Sequence, residues 1–143
     1  MILFLRNNFE FMKTIELEET QQIELQFDKR GGLLPVAVQE TSSGQVLMLA
    51  SVDKHAFDYT IKNKKAAFFS TSRGKMWVKG ETSGNYLDID EILIDCDQDA
   101  LVYKVTLVKD GVCHTFNSNN INRKACFYRS VDFLKYTLDF SEK

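Results

Sequence analysis

Two runs of apolar residues spaced for β-strands, Leu87 to Ile94 and Leu101 to Val108, are separated only by Asp95-Cys96-Asp97-Gln98-Asp99-Ala100. Side chains alternate across an extended chain, so Leu101, Tyr103, Val105 and Leu107 share one face, and Val102, Lys104, Thr106 and Val108 the other. The acidic run is therefore a connection between two strands. The fold must carry a half-buried sheet and present these residues at its end. If the run itself is extended, Asp95, Asp97 and Asp99 project one way and Cys96 the other.

Composition narrows the class. A chain of 143 residues suffices for one domain with a real core and is short for two. A net charge of −2 and the lack of a long basic stripe argue against nucleic-acid binding. No stretch has the length of a membrane span. The apolar opening Met1-Ile2-Leu3-Phe4-Leu5 is interrupted by Arg6 and has no small-residue cleavage site, so it is not a secretory leader. Met12 is an alternative start, and residues 1–11 carry no functional expectation. The cysteines, Cys96, Cys113 and Cys126, are odd in number. In a reduced, cytoplasmic setting such a trio suits a metal better than disulfides.

The remaining pattern predicts an α+β domain that is mainly β, an antiparallel barrel-like or sandwich domain with one capping helix. Residues 1–30 form a lead-in, of which 14–29 is helical or extended, and Gly31-Gly32 ends it. The core covers about 31–129. Pro35 to Gln39 and Gln45 to Ala50 read as a hairpin around Thr41-Ser42-Ser43-Gly44. Asp53 caps a helix running to about Asn63. Ala66 to Ser70 and Met76 to Val78 are strands. Asp110-Gly111 is a turn and Asn117 to Asn122 a polar loop. Residues 130–140, with Val131, Leu134 and Leu138 at helical spacing, predict a short terminal helix.

Two segments carry candidate chemistry. Three carboxylates on one face suit a hard cation such as Mg²⁺, and three thiolates suit Zn²⁺ with one coordination position left open. The competing reading is a solvated acidic turn with cysteines as small core residues. A calcium EF-hand is excluded, because its glycine and final glutamate positions hold Ala100 and Thr106. The second segment runs from Ser70 to Gly84. Its glycines and hydroxyl residues can form a phosphate-binding nest, with Arg73, Lys75 and Lys79 adding charge and Trp77 a stacking face. The alternative is a glycine-bounded hairpin with solvated charges and Trp77 in the core.

Taken together, these segments resemble the phosphoribosyl-AMP cyclohydrolase family of histidine biosynthesis. The likeness rests on Gly32-Leu33-Leu34-Pro35, Val46-Leu47-Met48-Leu49-Ala50, Ser72-Arg73, Trp77-Val78-Lys79-Gly80-Glu81-Thr82-Ser83-Gly84, Asp95 to Ala100, Cys113-His114-Thr115 and Cys126-Phe127-Tyr128, in the family's order. The resemblance implies an intertwined homodimer in which Cys96, Cys113 and Cys126 bind Zn²⁺ with ligands shared between subunits. It implies Mg²⁺ at Asp95, Asp97 and Asp99. The implied reaction is hydrolytic opening of the purine ring of phosphoribosyl-AMP at N1–C6, giving the formimino aminoimidazole carboxamide ribotide. Ribosylated N1 makes the ring cationic and C6 electrophilic, and a base is needed to activate water. His114, beside Cys113, is the candidate base; the alternative is a histidine that only supports the metal ligands from behind or lies at the surface. Trp77, Lys79, Glu81, Thr82 and Ser83 are expected to shape the substrate pocket, with Arg73 on phosphate.

The chain departs from the family pattern in the longer, glycine-free segment Phe116 to Lys124 between Cys113 and Cys126, and in Thr71 where the family commonly has Arg. Only a short tail follows Tyr128, so a fused pyrophosphohydrolase is not expected. A zinc nucleobase deaminase is excluded: neither His55 nor His114 begins His-x-Glu, and Pro35 is the only proline. A non-catalytic, zinc-stapled nucleotide-binding relative is the alternative from another class.

Overall fold

A computed structural model describes residues 1–143. The chain runs α1 (Ile2–Glu19), a 3₁₀ turn (Phe27–Arg30), β1 (Leu34–Glu40), β2 (Val46–Val52), α2 (Lys54–Asn63), β3 (Ala67–Ser70), β4 (Lys75–Val78), β5 (Leu87–Ile94), β6 (Leu101–Leu107), β7 (Arg129–Asp132) and β8 (Thr137–Phe140). Strands β1 to β6 form one sheet in the order β4-β3-β2-β1-β6-β5, and β7 and β8 form a separate hairpin. Beyond β4, the residues leading into β3 reach the start of β5: Ala66 N–H donates to Leu87 C=O at 3.0 Å, and Ile89 N–H to Lys64 C=O at 3.0 Å. The sheet thus curls into a half-barrel, consistent with the expected mainly β, barrel-like α+β domain.

The strand patterns decide which side is the core. Leu34, Val36 and Val38 of β1 and Leu101, Tyr103 and Val105 of β6 are buried, while their alternate neighbours are not. Phe68 lies between Tyr103 and Trp77, with ring centroids at 6.0 and 5.3 Å. Each such buried aromatic contributes on the order of 2–3 kcal/mol of apolar transfer free energy. Helix α2 starts where Asp53 accepts the Ala56 N–H at 2.8 Å, as expected, and buries Ala56, Phe57 and Thr60 against the sheet. No helix is long and apolar enough to cross a membrane.

Three expectations are corrected. The sheet is mixed rather than wholly antiparallel, because β1 and β6 pair in parallel. A second helix, α1, covers residues 2–19, a stretch without Gly or Pro in which good helix formers recur; it buries no residue. Residues 130–140 form the β7–β8 hairpin, not a helix. The Asp132 carboxylate accepts the N–H groups of Leu134 and Lys135, both at 2.9 Å, and Tyr136 takes φ 55°. That local turn interrupts helical continuation, so the spacing of Val131, Leu134 and Leu138 is coincidental.

Tyr103 Oη is the only buried side-chain N or O atom without a hydrogen-bond partner. Its polar neighbour, Thr60 Oγ1, is engaged with Ala56 C=O at 2.9 Å and Ala67 N–H at 3.0 Å. Burial pushes the Tyr103 phenol up to about 12, with the neighbouring Thr60 hydroxyl opposing the shift to a smaller extent. Tyr103→Phe is therefore expected to leave stability unchanged or raise it by up to about 1 kcal/mol. The urea midpoint, at unchanged slope, measures this; a loss above about 1 kcal/mol would show a satisfied hydroxyl.

Candidate active site

The acidic run leaves β5 as a tight turn rather than an extended segment. Gln98 N–H donates to Asp95 C=O at 3.2 Å, Gln98 takes φ 55°, and Asp95 Oδ1 accepts the N–H groups of Asp99 and Ala100 at 2.9 and 3.1 Å. The turn folds the three carboxylates together by a route that strand alternation does not provide. Asp95, Asp97 and Asp99 offer oxygens within 4.8 Å of one another, the only trio of His, Cys, Asp or Glu donors that converges in the chain. Lys29 Nζ lies 2.9 Å from Asp97 and 2.7 Å from Asp99, and Arg30 reaches Asp99 at 3.2 Å. The Lys29 hydrogen bond, with the Arg30 charge adding to it, holds the Asp99 carboxyl down at about 2. The lead-in is tied to the same turn: Gln98 accepts Glu24 N–H and donates to Gln22 C=O at 3.2 Å.

Cys113 and Cys126 meet at the other end of β6. Cys113 is buried, and its Sγ is 3.0 Å from Thr115 Oγ1. Cys126 is anchored by its N–H donating to Leu47 C=O at 2.7 Å. Although that residue is exposed overall, its thiol is pushed up to about 11, first by desolvation and then by the adjacent Cys113 thiol, while Lys79 pulls it down. Burial in turn lowers the Lys79 ammonium from its ordinary value. Lys79 Nζ lies 5.8 Å from the Trp77 ring, so the thiol pair, the lysine and the indole form one cluster.

Cys96 is not part of that cluster. It is exposed in the acidic turn before β6, whereas Cys113 follows the far end of that strand. A seven-residue strand such as Leu101–Leu107 spans about 20 Å. The expected cysteine trio is thus divided, two and one, within a single chain. His114 is exposed beside buried Cys113, while Glu81, Thr82 and Ser83 line the exposed turn after Lys79. Gly80 has φ +94°, and a Cβ there would meet Tyr86 N at 2.3 Å, so this turn requires glycine. Arg73 lies in the tight β3–β4 turn, where Gly74 N–H donates to Ser70 C=O at 2.7 Å. Strand β4 separates it from Lys79. An apolar cleft of about 600 Å³ is lined by Ile23, Leu25, Phe27, Phe57 and Ile61 among others and contains none of the expected site residues.

Sequence reasoning missed the residues that seat Cys113. The buried Asn85 accepts Asp110 N–H at 3.2 Å and donates to Asn122 Oδ1 at 3.1 Å; Asn122 donates to Cys113 C=O at 2.9 Å. Gly111 permits the approach, since a Cβ there would sit 2.0 Å from Arg123 C=O. Only the density of Asn in 117–122 hinted at this amide chain. Asn85→Ala leaves buried groups unpaired and is expected to cost about 1–3 kcal/mol. It should also speed labelling of Cys113 by a thiol reagent in metal-free protein. Unchanged labelling would show that Cys113 is held without the amides.

The sequence profile of the family described as "Phosphoribosyl-AMP cyclohydrolase" matches residues 48–128. A protein of that name from Trichlorobacter lovleyi is 46% identical over 106 residues, covering 74% of this chain and 80% of the relative. Another from Desulfotalea psychrophila is 44% identical over 110 residues, 76% of this chain and 82% of the relative. A third, from Rhizobium rhizogenes, is 44% identical over 118 residues, 82% of this chain and 74% of the relative. With the matched span running from the β2 strand through both cysteines of the thiol pair, the chain belongs to the phosphoribosyl-AMP cyclohydrolase family of enzymes.

Proposed function

We propose that this hydrolase of histidine biosynthesis opens the purine ring of phosphoribosyl-AMP at N1–C6, as a cytoplasmic homodimer with two shared zinc centres. Each centre would take Cys113 and Cys126 from one subunit and Cys96 from the other. One observation carries the reading: Cys113 and Cys126 converge, while Cys96 stands exposed at the opposite end of β6. A trio split in this way can close only if a second copy supplies the missing thiol, and a twofold dimer completes two such sites at once.

The donor sets fit their metals. Three thiolates suit Zn²⁺ and leave a fourth position open, and the oxygen-only set at Asp95, Asp97 and Asp99 suits Mg²⁺. When bound, Zn²⁺ would supply Lewis acidity that makes water nucleophilic toward C6 near neutral pH. The chain's own groups do the rest. Trp77, half-buried in β4, offers its face to the purine. Lys79, already beside the thiols, adds positive charge where a phosphate or a developing anion would lie. Glu81, Thr82 and Ser83 supply hydrogen-bond groups on the adjoining turn, and Arg73 offers a guanidinium for phosphate. His114, exposed next to Cys113, would accept the proton from the attacking water. At the acidic turn Lys29 and Arg30 supply the neutralising charge, and Mg²⁺ would compete with Lys29 for Asp97 and Asp99.

Subunit complementation tests the shared centre. Cys96→Ala and Cys126→Ala proteins should each lose zinc and ring-opening activity, and Cys96→Ala should also weaken the dimer. Mixed and reassembled, they form heterodimers with one intact centre, and activity should return to about a quarter of wild type per subunit. No recovery despite confirmed heterodimers would place all three ligands in one chain.

A further inference from the structure

We propose that Glu142, outside the family-matched residues 48–128, is a positioning residue for the Cys113–Cys126 thiol pair. The proposal rests on the zinc reading above and adds to it a residue that holds the pair in place. The segment from Asn117 to Lys124 makes a polar excursion between the two cysteines, and nothing in its composition buries it. Its own bonds are local. Asn117 Oδ1 accepts the N–H groups of Asn119 and Ile121 at 3.0 and 3.1 Å, and Arg123 N–H donates to Thr115 C=O at 2.9 Å.

Besides Asn85 on Asn122 and Glu40 on Lys124, a long-range restraint comes from the residues after β8. Ser141 N–H donates to Tyr128 C=O at 2.9 Å, which brings the chain back beside the excursion. Half-buried Glu142 then binds both ends of it: Oε1 accepts Asn117 Nδ2 at 3.3 Å, and Oε2 accepts Lys124 N–H at 3.1 Å. Its carbonyl accepts Arg123 Nε at 3.0 Å, and Lys143 C=O accepts Ser118 N–H at 2.9 Å. The Arg123 guanidinium carbon sits 4.2 Å from the Tyr128 ring centroid. Lys124 Nζ reaches Glu40 at 2.7 Å.

Lys124 leads directly into buried Ala125 and then Cys126, while Arg123 C=O accepts Cys113 N–H at 3.1 Å. Glu142 therefore fixes the two residues that connect the excursion to both thiols. A loop of this length left free would sample many placements of Cys126, and ordering it would be charged against metal binding. One carboxylate spanning Asn117 and Lys124 adds to the Asn85, Glu40 and Leu47 contacts and reduces that freedom beforehand. The effect acts through the loop, so it should fall on zinc affinity and turnover and spare nucleotide binding.

The test uses full-length protein and competition with a chromophoric zinc chelator. Glu142→Ala should raise the zinc dissociation constant about tenfold, the loss expected for hydrogen bonds to a charged acceptor. kcat at limiting zinc should fall, with KM for phosphoribosyl-AMP changed by less than about twofold. Glu142→Gln keeps an acceptor for Lys124 N–H and should fall between. Folded Glu142→Ala with wild-type zinc affinity overturns the proposal. If circular dichroism shows that variant unfolded, Asn117→Ala decides: a smaller rise in the same direction supports the role, and no change overturns it. Wild-type protein that binds no zinc would instead remove the underlying zinc reading, a result visible without any variant.

Discussion

Strand β6 is a stiff spacer of about 20 Å with carboxylates at one end and a thiol pair at the other, and the functional layout depends on it. It is held on both sides, by β1 in parallel and β5 antiparallel, so neither end can swing toward the other. Cys96 shares its turn with the carboxylates and is kept away from the other two cysteines of its own chain. The aspartates are held together by a turn in which Asp95 is engaged by two backbone N–H groups, and Lys29 and Arg30 balance the charge. Two chemically different donor sets are thereby kept apart in one subunit. In the proposed dimer, a second subunit would bring them into relation.

The thiol end is built differently. No strand carries Cys126, and Cys113 lies beyond the last residue of β6. Rigidity there comes from polar contacts between segments remote in sequence: the Asn85–Asn122 amides, the Cys126 N–H to Leu47, and the Glu142 bridge. Such contacts are strong where half-buried, and each loses value sharply when one partner is removed. The Phe116 to Lys124 segment is accommodated without pulling the cysteines apart because its two ends pair with each other before reaching them.

What the sequence disclosed follows the range of the interaction concerned. Alternation placed β5 and β6, and the buried face of β6 was readable in Leu101, Tyr103 and Val105, because period and burial are local properties. The Asp53 cap was readable for the same reason. The parallel pairing of β1 with β6 was not, since it joins strands separated by most of the domain and leaves no local mark. At 130–140 a helical spacing competed with a turn locked by one aspartate, and the turn prevailed. The motif segments that the proposed site draws on, Trp77 to Gly84 and Asp95 to Asp99, were legible as strings. That the aspartates converge was anticipated; that a turn rather than an extended strand brings them together was not. Asn85 and Glu142 were invisible, because their partners lie far along the chain.

The central claim is that a functional zinc centre needs ligands from two chains. Anomalous diffraction at the zinc edge from crystals of the zinc-loaded protein tests it most directly. One peak per subunit, with three sulfurs at about 2.3 Å, Cys113 and Cys126 from one chain and Cys96 from its neighbour, is the expected result. A zinc ion ligated wholly within one chain, or found only at Asp95, Asp97 and Asp99, would contradict it.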